Sequence, residues 1–157
     1  MDYQAEEAVW RRVRGPGPTA EQTLLPQRLE ALALELMAEE ESLRRLSRRL
    51  GGSQGAAVSR LASQLRAGTR ELTTLHYLLT GCRLRLKAPA PAPSGSVTEV
   101  LRLACLRAAQ SARAFRSLGE EFREHAEEMN RCARDSEARQ RSLTRILQSR
   151  LDRREEK

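Results

Sequence analysis

Few residues of this chain are able to do chemistry, and their spacing limits what that chemistry can be. There are two histidines, His76 and His125, and three cysteines, Cys82, Cys105 and Cys132. A carboxylate and an imidazole on one helix grip a metal together when they stand three residues apart, because i and i+3 share a face. Neither histidine follows a Glu at that distance; Thr73 and Phe122 occupy those positions. His76 flanks an apolar stripe beside Tyr77 and reads as a packed histidine rather than a ligand. The cysteines form no CxxC pair and no Cys/His cluster, and nothing near them supplies the base or helix N-terminus that activates a thiolate. They read as reduced, buried thiols of a cytoplasmic protein.

Two charges that interrupt apolar stripes are more informative. Glu39 sits between Leu36 and Leu43, and Arg139 between Ser136 and Leu143, at the spacing of a buried helix face. A lone buried charge costs several kcal/mol, so one solution is that Glu39 and Arg139 pair inside or at the edge of the core. The other is a splayed assembly that lets both reach water. Elsewhere Arg44, Arg45, Arg48 and Arg49 cluster, and Arg83, Arg85 and Lys87 follow in a second basic run. Together these could make a basic patch at one end of the molecule. The net charge of +7 fits an acidic partner or nucleic acid. The arginines alternate with Glu and lack the aromatic residues that stack bases, which favours solvated helix faces instead.

The elements that must position these residues are helices. Aromatic residues make up 3% and charged residues 31% of the 157 residues, so the core must be built from Leu and Ala on long amphipathic helices. Residues 2–13 read as a short helix anchored by Trp10, followed by the breaker Gly15-Pro16-Gly17-Pro18. A first long helix starts near Pro26 and ends at Gly51-Gly52; its stripe is Leu29, Leu32, Leu36, Glu39, Leu43, Leu46 and Leu50. A second runs from about Gln54 to Thr80 and stops at Gly81, with Val58, Leu61, Leu65, Gly68, Leu72, Leu75 and Leu79 on its stripe. A Pro-rich segment, Lys87 to Gly95, follows. Ser96 and Glu99 form a capping box that opens a third helix, striped by Leu101, Ala104, Ala108, Ser111, Phe115, Leu118 and Phe122. A fourth carries Met129, Cys132, Ser136, Arg139, Leu143 and Ile146 and begins somewhere between Gly119 and Ala126. The tail beyond Leu151 is charged and reads as frayed. The stripes step 3,4,3,4, the pattern of an antiparallel four-helix bundle. The expected organisation is a linker region at 1–25, one bundle at 26–151 and a charged tail at 152–157. No run approaches membrane-spanning length, and the N-terminus has no signal-peptide core.

Over residues 28–148 the chain resembles the rubrerythrin-type, ferritin-like family. The resemblance rests on LRRLSRRLGG at 43–52, on Leu61-Ala62 followed by LHYLLTG at 75–81, on AFRSLGEEF at 114–122 and on CARDSEARQRSL at 132–143. It implies an all-α, ferritin-like antiparallel bundle of two related hairpins joined by a Pro-rich crossover, in a cytoplasmic bacterial protein. In that family, two helices each give a Glu and two give an ExxH pair to a di-iron centre. Carried onto this chain, those six slots fall on Leu36, Leu65 with Gly68, Ala108, and Ser136 with Arg139. None is a metal ligand. Glu35 and Glu137 do not rescue the neighbouring slots, since one residue is about 100° of helix rotation. Leu36, Leu65 and Ala108 suggest a rebuilt apolar core, and Gly68 suggests room for the Glu39–Arg139 pair. The resemblance therefore implies no metal, no cofactor and a non-catalytic bundle with a structural, regulatory or protein-interaction role, self-association included. A basic module binding nucleic acid or an acidic partner, and an atypical rubrerythrin-related oxidoreductase, are the alternatives.

Overall fold

The computed structural model describes residues 20–87 and 95–155, all of whose regular structure is helical. The expected helix at residues 2–13, the Gly/Pro breaker after it, and most of the Pro-rich segment lie outside the described residues. Four long helices carry the fold: α1 (Ala20–Leu50), α2 (Gly52–Thr80), α3 (Val97–Glu121) and α4 (Ala126–Glu155). A 3-10 turn, Arg123–His125, joins the last two. The helices are 31, 29, 25 and 30 residues long.

Local sequence explains most of the helix ends. Gly51 and Gly52 both take positive φ (62° and 55°), which lets α1 reverse into α2 with no longer loop. Gly81 caps α2 in the left-handed conformation and donates its N–H to the Tyr77 carbonyl. At the start of α3 the capping box forms in full: the Glu99 N–H donates to Ser96 Oγ and the Ser96 N–H to Glu99 Oε2. The α3–α4 break falls at Phe122, inside the expected window. Two boundaries differ from expectation. The first helix begins at Ala20, so Pro26 lies within it rather than at its start. Standing past the first turn, its ring removes one backbone hydrogen bond and crowds the carbonyl four residues back. The fourth helix continues to Glu155, past the expected fraying point at Leu151.

α1 packs along α2, and α3 along α4; the two hairpins then meet through α1 against α3 and α2 against α4. Arg49 Nη2 donates to the Gly95 carbonyl at 2.8 Å, tying the end of α1 to the start of α3. Arg28 pairs with Glu121 at the other end, so α1 and α3 run antiparallel. The stripes converge on one core, in which Leu29, Leu43, Leu65, Leu72, Leu101, Phe115 and Leu143 are fully buried. Its edge departs from expectation in α2, where Leu75 and Leu79 are only half-buried and His76 is buried instead.

Two glycines within α2 do opposite things. A Cβ on Gly55 would come within 2.6 Å of the Ser47 carbonyl oxygen, which belongs to the backbone of α1. Ser47 Oγ also donates to the Gly55 carbonyl at 2.8 Å, so the helices touch here. A Cβ on Gly68 would meet only Leu36 Cδ1, at an ordinary 3.8 Å. Gly55→Ala is therefore expected to destabilise the protein by about 2 kcal/mol through overpacking. Gly68→Ala is expected to stabilise it by about 1 kcal/mol through helix propensity. Urea unfolding of the two variants checks the opposite signs.

Candidate functional site

The middle of the bundle holds a chain of buried polar groups. Arg139 Nη2 of α4 lies 3.2 Å from Glu39 Oε2 of α1, and each residue is only 5% exposed. Glu39 Oε1 accepts from Ser111 Oγ of α3 at 2.8 Å. On the other side Arg139 Nη2 reaches Ser136 Oγ at 3.4 Å, and that hydroxyl donates to the Cys132 carbonyl at 3.0 Å. Both carboxylate oxygens are thus engaged, and three helices are linked through one ion pair. Of the two arrangements open to Glu39 and Arg139, this geometry is the paired, buried one. Arg139 Nε has no hydrogen-bond partner. A guanidinium cannot lose its proton, so that donor is permanent.

Five of the six slots where the family pattern would set metal ligands line a single cavity beside this cluster. It has a volume of about 310 Å³, and Leu36, Leu65, Gly68, Ser136 and Arg139 all face it, together with Phe115. The sixth, Ala108, is fully buried in α3. The cavity reaches the surface between α2 and α4, where exposed Gln64, Glu71 and Asp135 form its rim. Glu71 is paired across the rim with Arg131 at 3.1 Å. The expectation that Gly68 makes room for the ion pair is corrected here. No atom of Glu39 or Arg139 lies within 4 Å of a Cβ built at Gly68, so the glycine opens the cavity instead. A second, smaller cleft of about 260 Å³ reaches Glu39 and Ser111 from the α1–α3 side.

The chemistry these groups can support is narrow. Among the described residues no three His, Cys, Asp or Glu side chains gather as a metal site would require. His76 is buried, and Thr80 Oγ1 donates to its backbone carbonyl at 2.9 Å. His125 lies in the 3-10 turn, 3.8 Å from Glu128. Cys132 borders the cavity, but burial, and secondarily the Glu71 carboxylate, push its thiol up to about 11. It is held as a neutral thiol at physiological pH rather than as a nucleophile. All three cysteines are free; Cys105 is half-buried, and Cys82 is exposed, against the expectation of buried thiols throughout. Cys82 falls just past the cap of α2, where no stripe governs its direction.

The basic residues do not collect into one patch. Arg44 and Arg45 are paired with Glu40 and Glu41 one turn back, at 2.9 and 3.0 Å. Arg49 is engaged with Gly95, and Arg48 is exposed. All four adjoin the Gly51–Gly52 turn. Arg83 instead lines a surface hollow with Thr73 and Tyr77 of α2, about 30–40 Å further along the bundle from that turn at 1.5 Å per residue. Arg85 and Lys87 are exposed on the segment after it.

Sequence reasoning did not single out Ser111 as the partner of Glu39. The signal was a hydroxyl on an otherwise apolar stripe, which a buried carboxylate on a facing helix explains. No described helix is long and apolar enough to cross a membrane. No protein-family model, curated protein or solved structure matches this chain.

Proposed function

We propose that this chain is a rubrerythrin-like, ferritin-type bundle in which a buried ion pair stands where the di-iron centre would be. Its role on this reading is structural, regulatory or in protein interaction rather than oxidoreductase. The observation that carries it is Arg139: at the position the resemblance gives to a ligand histidine, it lines the central cavity and is tied to Glu39. A guanidinium is always protonated and repels a cation, so a metal would have to displace the partner that neutralises it. The proposed connectivity is supported by the ends of the hairpins. Gly81 closes α2 at the end where α1 begins, whereas Gly95 lies beside Arg49 at the opposite end. The Pro-rich crossover of the ferritin-like arrangement would bridge that distance.

Elemental analysis of the purified full-length protein tests the reading. Iron and manganese are expected far below one ion per chain, including after incubation with Fe(II). A stoichiometric, tightly held metal would overturn it.

A further inference from the structure

We propose that the outer face shared by α2 and α4, on the side of the cavity toward the Gly51–Gly52 turn, binds the phosphate backbone of a double-stranded nucleic acid. The expected alternation of Arg with Glu fails in two stretches. Residues 52–70 of α2 carry three arginines and residues 138–151 of α4 carry four, and neither stretch holds an Asp or Glu. The fold sets these stretches side by side. Glu71 pairs with Arg131, and Gln64 lines the cavity with Ala138, so the helices run antiparallel in a fixed register. Continued at helical spacing toward the turn, the face of Gln64 presents Arg60 and Ser53, and the face of Ala138 presents Ser142, Arg145 and Ser149. Arg60 thus comes level with Arg141 and Arg145, a cluster that the sequence scatters over two distant helices. Arg60, Arg66, Arg70, Arg141 and Arg145 are all exposed. Among the described residues none of the five pairs with a carboxylate.

The surrounding side chains select the partner. Guanidinium groups, with serine hydroxyls and an amide beside them, are the donors that phosphate oxygens accept from. No exposed side chain of either stretch is apolar and larger than Ala. A protein partner therefore finds no anchor here, and a membrane no side chain to enter its interface. A second copy fares no better. Residues 29–43 of α1 are the acidic counterpart, but Glu39, Glu40 and Glu41 are already paired, which leaves Glu30 and Glu35 against five arginines. Neither stretch contains an aromatic residue on which single-stranded bases could stack. The fitting polyanion is a duplex backbone, with one charge per about 1.7 Å. This face would act in the same way whatever the ancestry of the bundle.

Fluorescence anisotropy of the full chain with labelled duplexes of about 20 base pairs, one of DNA and one of RNA, tests the proposal at about 25 mM salt. Saturable binding with a Kd of ~10 μM or tighter is expected, weakening with salt at a logarithmic slope of about four. Binding of either duplex supports the proposal, and the tighter one names the source of the backbone. Arg60→Gln/Arg141→Gln/Arg145→Gln is expected to weaken binding at least about tenfold and to cut the slope by about three. The control Arg102→Gln/Arg113→Gln/Arg123→Gln removes the same charge from exposed positions elsewhere, and is expected to weaken binding less than about threefold. All six positions are exposed, so both triple variants are expected to fold, which circular dichroism checks. Binding of neither duplex, equal losses in the two triple variants, or tighter binding of polyglutamate or of phosphatidylserine vesicles would each overturn the proposal. So would a dimer of the free chain that the first triple variant abolishes.

Discussion

Glu39→Leu and Arg139→Met are each expected to destabilise the protein by about 3–5 kcal/mol, because each leaves the other group buried without its partner. The double variant Glu39→Leu/Arg139→Met is expected to fall within about 1 kcal/mol of the parent, or above it, since two apolar side chains of similar volume carry no desolvation penalty. Both residues are 5% exposed, so water cannot screen the loss. Domains of this size are stable by only about 5–15 kcal/mol, so either single change consumes a large part of the total. Urea unfolding of the four proteins gives the coupling energy directly. Single variants that each cost under about 1 kcal/mol would show that the pair is solvated in solution. Ser111→Ala should behave as a milder version, losing one of the two hydrogen-bonded oxygens of Glu39.

The second large effect is on alkaline stability. Cys132 titrates at about 11 in the folded protein against 9.0 for an ordinary thiol, mainly because burial disfavours the thiolate. Below pH 9 the thiol is protonated in both states and contributes no slope. Between about pH 9 and 11 the native protein keeps that proton while the unfolded chain releases it, so rising pH pulls toward unfolding. Two pH units correspond to about 2–3 kcal/mol lost by pH 11. The measurement is a difference between two proteins, which cancels every ionisation that they share. Unfolding free energies of the parent and of Cys132→Ala are compared at pH 8 and pH 10.5. The parent is expected to lose stability more steeply, and parallel curves would show that Cys132 is not buried as described.

Much of this fold is legible in the residue order. A 3,4 repeat of Leu and Ala sets which face of each helix is buried, and every stripe position of α3 and α4 is buried. Gly51, Gly81 and the Ser96/Glu99 box mark ends because their conformations and side chains serve no other purpose there. Pro26 reads as a start signal, but it stands seventh in its helix, past the first turn where a missing N–H costs nothing. The site was half legible. Periodicity says that Glu39 and Arg139 face inward, and electrostatics says that a partner is needed, but neither says which atoms meet. Ser111 lies 72 positions from Glu39, and no local rule links residues so far apart. The cavity was not legible at all, because it depends on how closely the hairpins approach. Gly68 is its trace in the sequence, and it looked like room for something else.

The two hairpins touch along thin seams, and the Glu39–Ser111–Arg139 chain lies across them. This arrangement bears on how the two halves dock. Contacts within α1–α2 or α3–α4 close short loops, so each half assembles at low entropic cost from residues that are already neighbours. Docking the halves is the expensive step, and it is also the moment when two unlike charges leave water. A mismatched docking, slid by one turn, would set Arg139 against Leu36 or Leu43 and Glu39 against Ala108 or Phe115, leaving two buried charges unpaired. The ion pair thus acts as a proofreading contact: it adds little to the depth of the correct state and raises the wrong ones, so that two greasy and nearly repetitive hairpins settle in a single register.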